Sequence, residues 1–109
     1  MIAGKEYSIA ILVENSGKTT WMPEKFYRLG SQNPQDNSIW KGRINLEPGE
    51  EIKPGGLKTF SFTVKAPETI GTYNFQWKML QEDIEWFGGL SENVEINVIA
   101  PPIEMPATK

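Results

Sequence analysis

The residues here that could do chemistry are, first, the carboxylates. Glu82, Asp83 and Glu85 lie within one short stretch, and Glu50 and Glu51 are adjacent. Two carboxylates across a cleft, ~5 to 10 Å apart with one in an apolar surrounding that raises its pKa, can hydrolyse a glycosidic bond. Both groups sit beside turn signals, however, and the tip of a turn is convex and wet. Solvated surface charge is the reading that this environment favours. Asn33, Gln35, Asp36 and Asn37 offer oxygen ligands in one segment, but calcium needs several and only one of these is a carboxylate. Turn formation and backbone bonding account for them better, so no metal is assigned. The chain has no cysteine and no histidine, which removes disulfides, zinc–thiolate sites, thiol nucleophiles and imidazole proton shuttles. Its serines lack the base that a Ser-centred triad requires. The inventory points away from an enzyme and implies no cofactor.

Aromatic side chains are the other candidates. An exposed indole or phenol can stack on the apolar face of a sugar ring. Trp40, at the end of a polar loop, and Tyr27, on a strand whose partner residues look inward, are the candidate exposed ligand contacts. The opposing reading places the rings between two sheets. It makes Trp21, Trp40, Tyr73, Phe75, Trp77 and Trp86 the structural core, so Trp40 stands under both readings.

The elements that must position these residues are strands. From Gly71 to Gly89 the chain reads GTYNFQWKMLQEDIEWFGG. Tyr73, Phe75, Trp77 and Met79 alternate with Thr72, Asn74, Gln76 and Lys78, the pattern of a strand with one face buried. A two-residue bend at Glu82-Asp83 would set Gln81 opposite Ile84, Met79 opposite Trp86 and Trp77 opposite Gly88. Gly88-Gly89 then reads as a bulge. Earlier, Tyr7, Ile9, Ile11 and Val13 form the inward set of a first strand, and Asn15-Ser16-Gly17-Lys18 a turn. Trp21-Met22-Pro23 re-enters the core, and Phe26 to Gly30 makes a short strand. Ser31 to Trp40 is the longest loop. Arg43 to Leu46 suits a short edge strand, and Pro48-Gly49 and Pro54-Gly55-Gly56 are turns. Phe60, Phe62 and Val64 mark another strand, ended by Ala66-Pro67, and Val94, Ile96 and Val98 mark the last. No 3.6-residue period persists. Seven short strands predict an all-β sandwich of two antiparallel sheets over residues 1–100, with 101–109 a Pro-containing linker or tail.

Composition agrees with one globular domain. Of 109 residues, 39% are hydrophobic and 23% charged, enough to bury a core of its own. The net charge of −3, with scattered basic residues, lacks the basic field of a nucleic-acid binder. No apolar run approaches the ~20 residues of a membrane span. The opening MIAGKEY enters strand pattern almost at once and carries no signal-peptide pattern, so the chain reads as a piece excised from a longer protein.

Gly71-Thr72-Tyr73-Asn74-Phe75 resembles the tyrosine corner of immunoglobulin-type sandwiches, in which a Tyr bonds backbone upstream. Phe75 stands where antibody domains place a disulfide cysteine. VENSGKTTW, YRLGSQNPQDNSIW, FSFTVKAPETIGTYNFQWKM and EWFGG, in that order, resemble the four-tryptophan immunoglobulin-like family, with Trp21, Trp40, Trp77 and Trp86 at the family's positions. That family is similar to one domain of a eukaryotic autophagy cargo receptor and recurs in large bacterial proteins. The resemblance covers about Gly4 to Val98 and implies an immunoglobulin-like β-sandwich. It departs at the start: the additional first strand that members usually carry is absent here or reduced to Met1-Ile2-Ala3. The Tyr7–Val13 strand would then be an open sheet edge, expected to pair with the tail or with a second copy. The resemblance further implies a non-catalytic spacer or adhesion-type module of an exported bacterial protein, extracellular or at the cell surface. Its partners would be neighbouring domains and a protein or glycan ligand. A carbohydrate-binding accessory to a polysaccharide-active enzyme is the alternative.

Overall fold

The structure, a computed structural model, describes residues 1–103 and 107. Two antiparallel sheets face one another. The first holds β1 (Glu6–Glu14) and β4 (Leu57–Lys65), paired from Glu6 opposite Lys65 to Glu14 opposite Leu57. The second has β3 (Arg43–Asn45), β2 (Tyr27–Gln32), β5 (Gly71–Gln81) and β6 (Glu85–Phe87) in that order. The last strand, β7 (Val94–Val98), pairs with the first half of β5. One 3-10 turn at Pro23–Lys25 interrupts the β pattern. The all-β, two-sheet expectation holds. The tail expected at 101–109 lies partly outside the described residues.

Alternation explains the strands. Along β1 the odd residues from Tyr7 to Val13 are half-buried and the even ones exposed, so an outer row that includes Ala10 and Leu12 lies over an inner apolar one. β5 runs through the middle of the larger sheet with Phe75, Trp77 and Met79 buried on its inner face. The rings meet edge to face. Trp40 touches Tyr73 and Phe75, Phe75 touches Trp77, and Trp77 touches Phe62 on β4 at a centroid distance of 5.2 Å. A second group joins Trp21 and Tyr27 through Phe87, each 5.9 Å away. Such contacts suit the ring quadrupoles and knit the sheets where a disulfide would otherwise stand. The Tyr73 hydroxyl donates to the Thr69 carbonyl oxygen at 2.6 Å, the corner its sequence context suggested.

The hairpin differs from expectation by one residue. Gln81 faces Glu85, Leu80 faces Trp86 and Met79 faces Phe87, leaving Glu82, Asp83 and Ile84 as the loop. Asp83 adopts a left-handed φ of 61°, which a carboxylate-bearing side chain tolerates and which admits the third loop residue. A slip of one residue reverses every side chain's face. Phe87, rather than Trp86, therefore enters the core.

The amino terminus crosses between sheets. The Ala3 amide donates to the Ile99 carbonyl oxygen at 2.9 Å, and the Ile99 amide to that of Met1 at 2.9 Å, a parallel bridge beyond the end of β7. Residues 1–3 thus border the larger sheet, and β1 joins the smaller one.

Candidate functional site

The hairpin carboxylates are separated in their roles. Glu82 accepts from the Arg43 guanidinium and lies 3.6 Å from Arg28, whereas Asp83 and Glu85 are exposed. Arg43 also donates to Asp36 at 2.6 Å. Burial works against the Arg43 charge, but the hydrogen bonds and charges of Glu82 and Asp36 outweigh it, and its pKa lies above the ordinary value. Asp36, Glu82, Asp83 and Glu85 border a cavity of about 290 Å³, but Arg43 lines it too and pairs with Asp36 and Glu82. Glu50 is bound by Lys58 at 2.7 Å and by the Glu47 amide at 2.9 Å. Burial would raise its pKa, and these partners more than offset that, holding the carboxyl below its usual range. In the Ser31–Trp40 loop, Asn37 donates to the carbonyl oxygens of Gln32 and Pro34 and accepts from the Ile39 amide. Among the described residues no cluster of acidic groups is placed to hold a metal ion.

The aromatic candidates move in three ways. Tyr27 is buried, 8% exposed, not an exposed ligand contact. Phe26 takes a left-handed φ of 64° closing the 3-10 turn, so the strand begins one residue later and Tyr27 shares the inner face with Leu29. Its hydroxyl lies 3.3 Å from the Thr19 Oγ1. Trp40 is also buried, 6% exposed, which takes it from the ligand reading. Although it ends a polar loop, its Nε1 donates to the Asn74 carbonyl oxygen at 2.9 Å and its ring closes one end of the core. Trp86 corrects the core assignment: it is half-buried and lies outside the sandwich. Its indole spans β2 above Gly30, where an added Cβ would come within 2.6 Å of Cη2, and Arg43 stacks 5.0 Å from its ring centre. Trp21, Phe75 and Trp77 are buried between the sheets and Tyr73 packs against them half-exposed.

A space that sequence reasoning missed lies where the sandwich is open. A cavity of about 400 Å³ runs between Ile11–Glu14 of β1 and the segment from Phe87, the last residue of β6, to Ser91. Trp21, Leu29, Trp77 and Met79 form its apolar floor, and Glu14 and Lys78 are its charged lining residues. The Ser91 hydroxyl accepts from the Trp77 amide at 2.8 Å and the Ser91 amide donates to the Trp77 carbonyl oxygen at 2.8 Å, so the far wall is tied to β5. Asn15, fully buried, fixes the near corner by donating to the carbonyl oxygens of Thr19 and Ile52 at 2.8 Å each. The sequence hints were Asn15 in a turn and Gly88-Gly89 as a bulge. The cavity between them depends on segments remote in the chain.

The cavity wall carries no nucleophile paired with a base and no carboxylate pair. Its chemistry is that of a binding cleft with apolar depth and a polar rim. The family model described as the Ig-like domain from next to BRCA1 gene matches residues 1–99. Among curated proteins nothing matches the chain.

Proposed function

The chain belongs to this Ig-like family, and from that premise we propose that it is a non-catalytic interaction and spacer module of a larger exported bacterial protein. It would hold neighbouring domains apart and present a surface to a protein partner. The observation that carries this reading is the fate of the reactive side chains. The rings of Trp21, Tyr27, Trp40, Phe75 and Trp77 are buried in the core, and Glu82, Asp36 and Glu50 are held in ion pairs with Arg43 and Lys58. Among the described residues no helix is long and apolar enough to cross a membrane.

The carbohydrate-binding alternative loses its support, because Tyr27 and Trp40, the two rings it would stack on, are turned inward. Titration of tryptophan fluorescence with soluble polysaccharides, together with a glycan array, is expected to give no saturable response. A saturable response would restore the alternative, and turnover of any substrate by the purified chain would overturn the non-catalytic reading.

A further inference from the structure

The parity of β1 decides what its outer edge offers. The Ala66 amide donates to the Lys5 carbonyl oxygen at 2.8 Å, and the Asn15 amide to that of Gly56 at 2.9 Å, one pair at each end of the β1–β4 ladder. In an antiparallel ladder the bonded pairs recur every second residue, so the odd residues of β1 spend their backbone groups on β4. Glu6, Ser8, Ala10, Leu12 and Glu14 point theirs the other way, where β1 has no partner strand among the described residues, although the Glu14 carbonyl oxygen already accepts from the Ser16 amide at 3.2 Å. Their side chains are all exposed.

The open edge and the cavity coincide. No residue of β4 lines the cavity, so it opens on the side of β1 away from β4. A strand added there would continue the smaller sheet over the cavity's mouth. Its residues opposite Ile11 and Val13 would point in toward Trp21, Trp77 and Met79, and those opposite the even residues would point out. Trp77 keeps an indole N–H buried without an acceptor among the described residues.

We propose that the free edge of β1 captures an extended peptide by strand addition, apolar at the positions facing Ile11 and Val13 and basic at those facing Glu6 and Glu14. This rests on the interaction-module reading and names its partner. Charge selects the occupant. Glu6 and Glu14 mark the two ends of the edge, and neither makes an ion pair among the described residues. Lys65, opposite Glu6, is engaged 3.1 Å from Glu68. A second copy pairing along the whole edge antiparallel would set Glu6 against Glu14 twice, a repulsion that directly opposed like charges impose. The chain's own tail has Pro101, Pro102 and Pro106, each without a donor, and Ile103 stands 90% exposed. A foreign peptide avoids both obstacles. Its main chain supplies the affinity and its alternate side chains the choice of partner.

The test uses a fluorescein-labelled peptide with Lys facing Glu14, apolar residues one and three positions on, and a second Lys eight positions from the first. Fluorescence anisotropy is expected to show saturable binding that weakens with salt, and amide exchange to slow at Ser8, Ala10 and Leu12. Glu6→Lys with Glu14→Lys is expected to weaken binding roughly tenfold or more and to favour the same peptide with Glu ends. Ala10→Pro removes an outward N–H without touching the β4 ladder and is expected to abolish binding while the melting transition persists. Absence of binding, binding indifferent to Ala10→Pro, or binding indifferent to the charge reversal each overturns the proposal. So does a concentration-dependent dimer that protects the same amides, which would assign the edge to a second copy. Protection lost on deletion of residues 101–109 would likewise assign it to the tail. A blank peptide assay with no turnover leaves the module reading standing, and turnover alone removes it.

Discussion

Gly30 and Trp86 form a contact in which one side chain's absence accommodates another's bulk. Gly30 needs no unusual backbone here; it needs the space, since the indole lies where a Cβ would be. Gly30→Ala is expected to destabilise the fold by about 1–3 kcal/mol through overpacking. Adding Trp86→Leu to Gly30→Ala should recover part of that loss, which denaturant unfolding of the single and double variants would measure. A further residue-scale prediction concerns Glu50. Its carboxyl ionises more readily folded than unfolded, so its contribution is present above its ordinary pKa of 4.5 and lost as pH falls through the lower folded value. Glu50→Gln should therefore lower stability at about pH 7 and make little difference at roughly pH 2. Unfolding at the two pH values checks this. An equal loss at both would mean that packing, not charge, holds the residue.

At the scale of elements, β1 is the strand whose two sides differ most. Amides of Tyr7, Ile9, Ile11 and Val13 belong to the β4 ladder, and those of Ser8, Ala10 and Leu12 face outward. Hydrogen exchange followed by NMR on the free chain is expected to alternate, slow at the odd residues and fast at the even ones. Uniform protection would mean that the edge is already covered. The existence of β1 was legible in the sequence because a period of two survives any arrangement of neighbours. The β5–β6 register was not. It depends on whether the loop closes with two residues or three, and the left-handed conformation of Asp83 decided for three. One residue was enough to move Trp86 from the inner face to the outer.

For the whole molecule, the rings of Trp21, Trp40, Phe75 and Trp77 are held by elements far apart in sequence, which makes one cooperative unit the expected behaviour. We propose that this unit ends near residue 100. A chain cut after Ala100 should retain a single thermal transition within about 2 °C of the full chain, because the described residues beyond it are exposed. Calorimetry would show it, and a fall of more than roughly 5 °C would place the tail within the folded unit.

By itself the sequence determined the strands, the tyrosine corner and the two-sheet class, since alternation, glycine and proline act through bonds to near neighbours. By lacking cysteine and histidine it also leaves out disulfides, thiolate ligands and imidazole proton transfer. Only the tertiary structure decided that Tyr27 and Trp40 are covered, that Trp86 stacks outside on Arg43, and that a cavity opens beside the edge of β1 away from β4. Exposure and enclosure belong to pairs of segments brought together through space, and a side chain's periodicity carries no record of which segment will lie across from it.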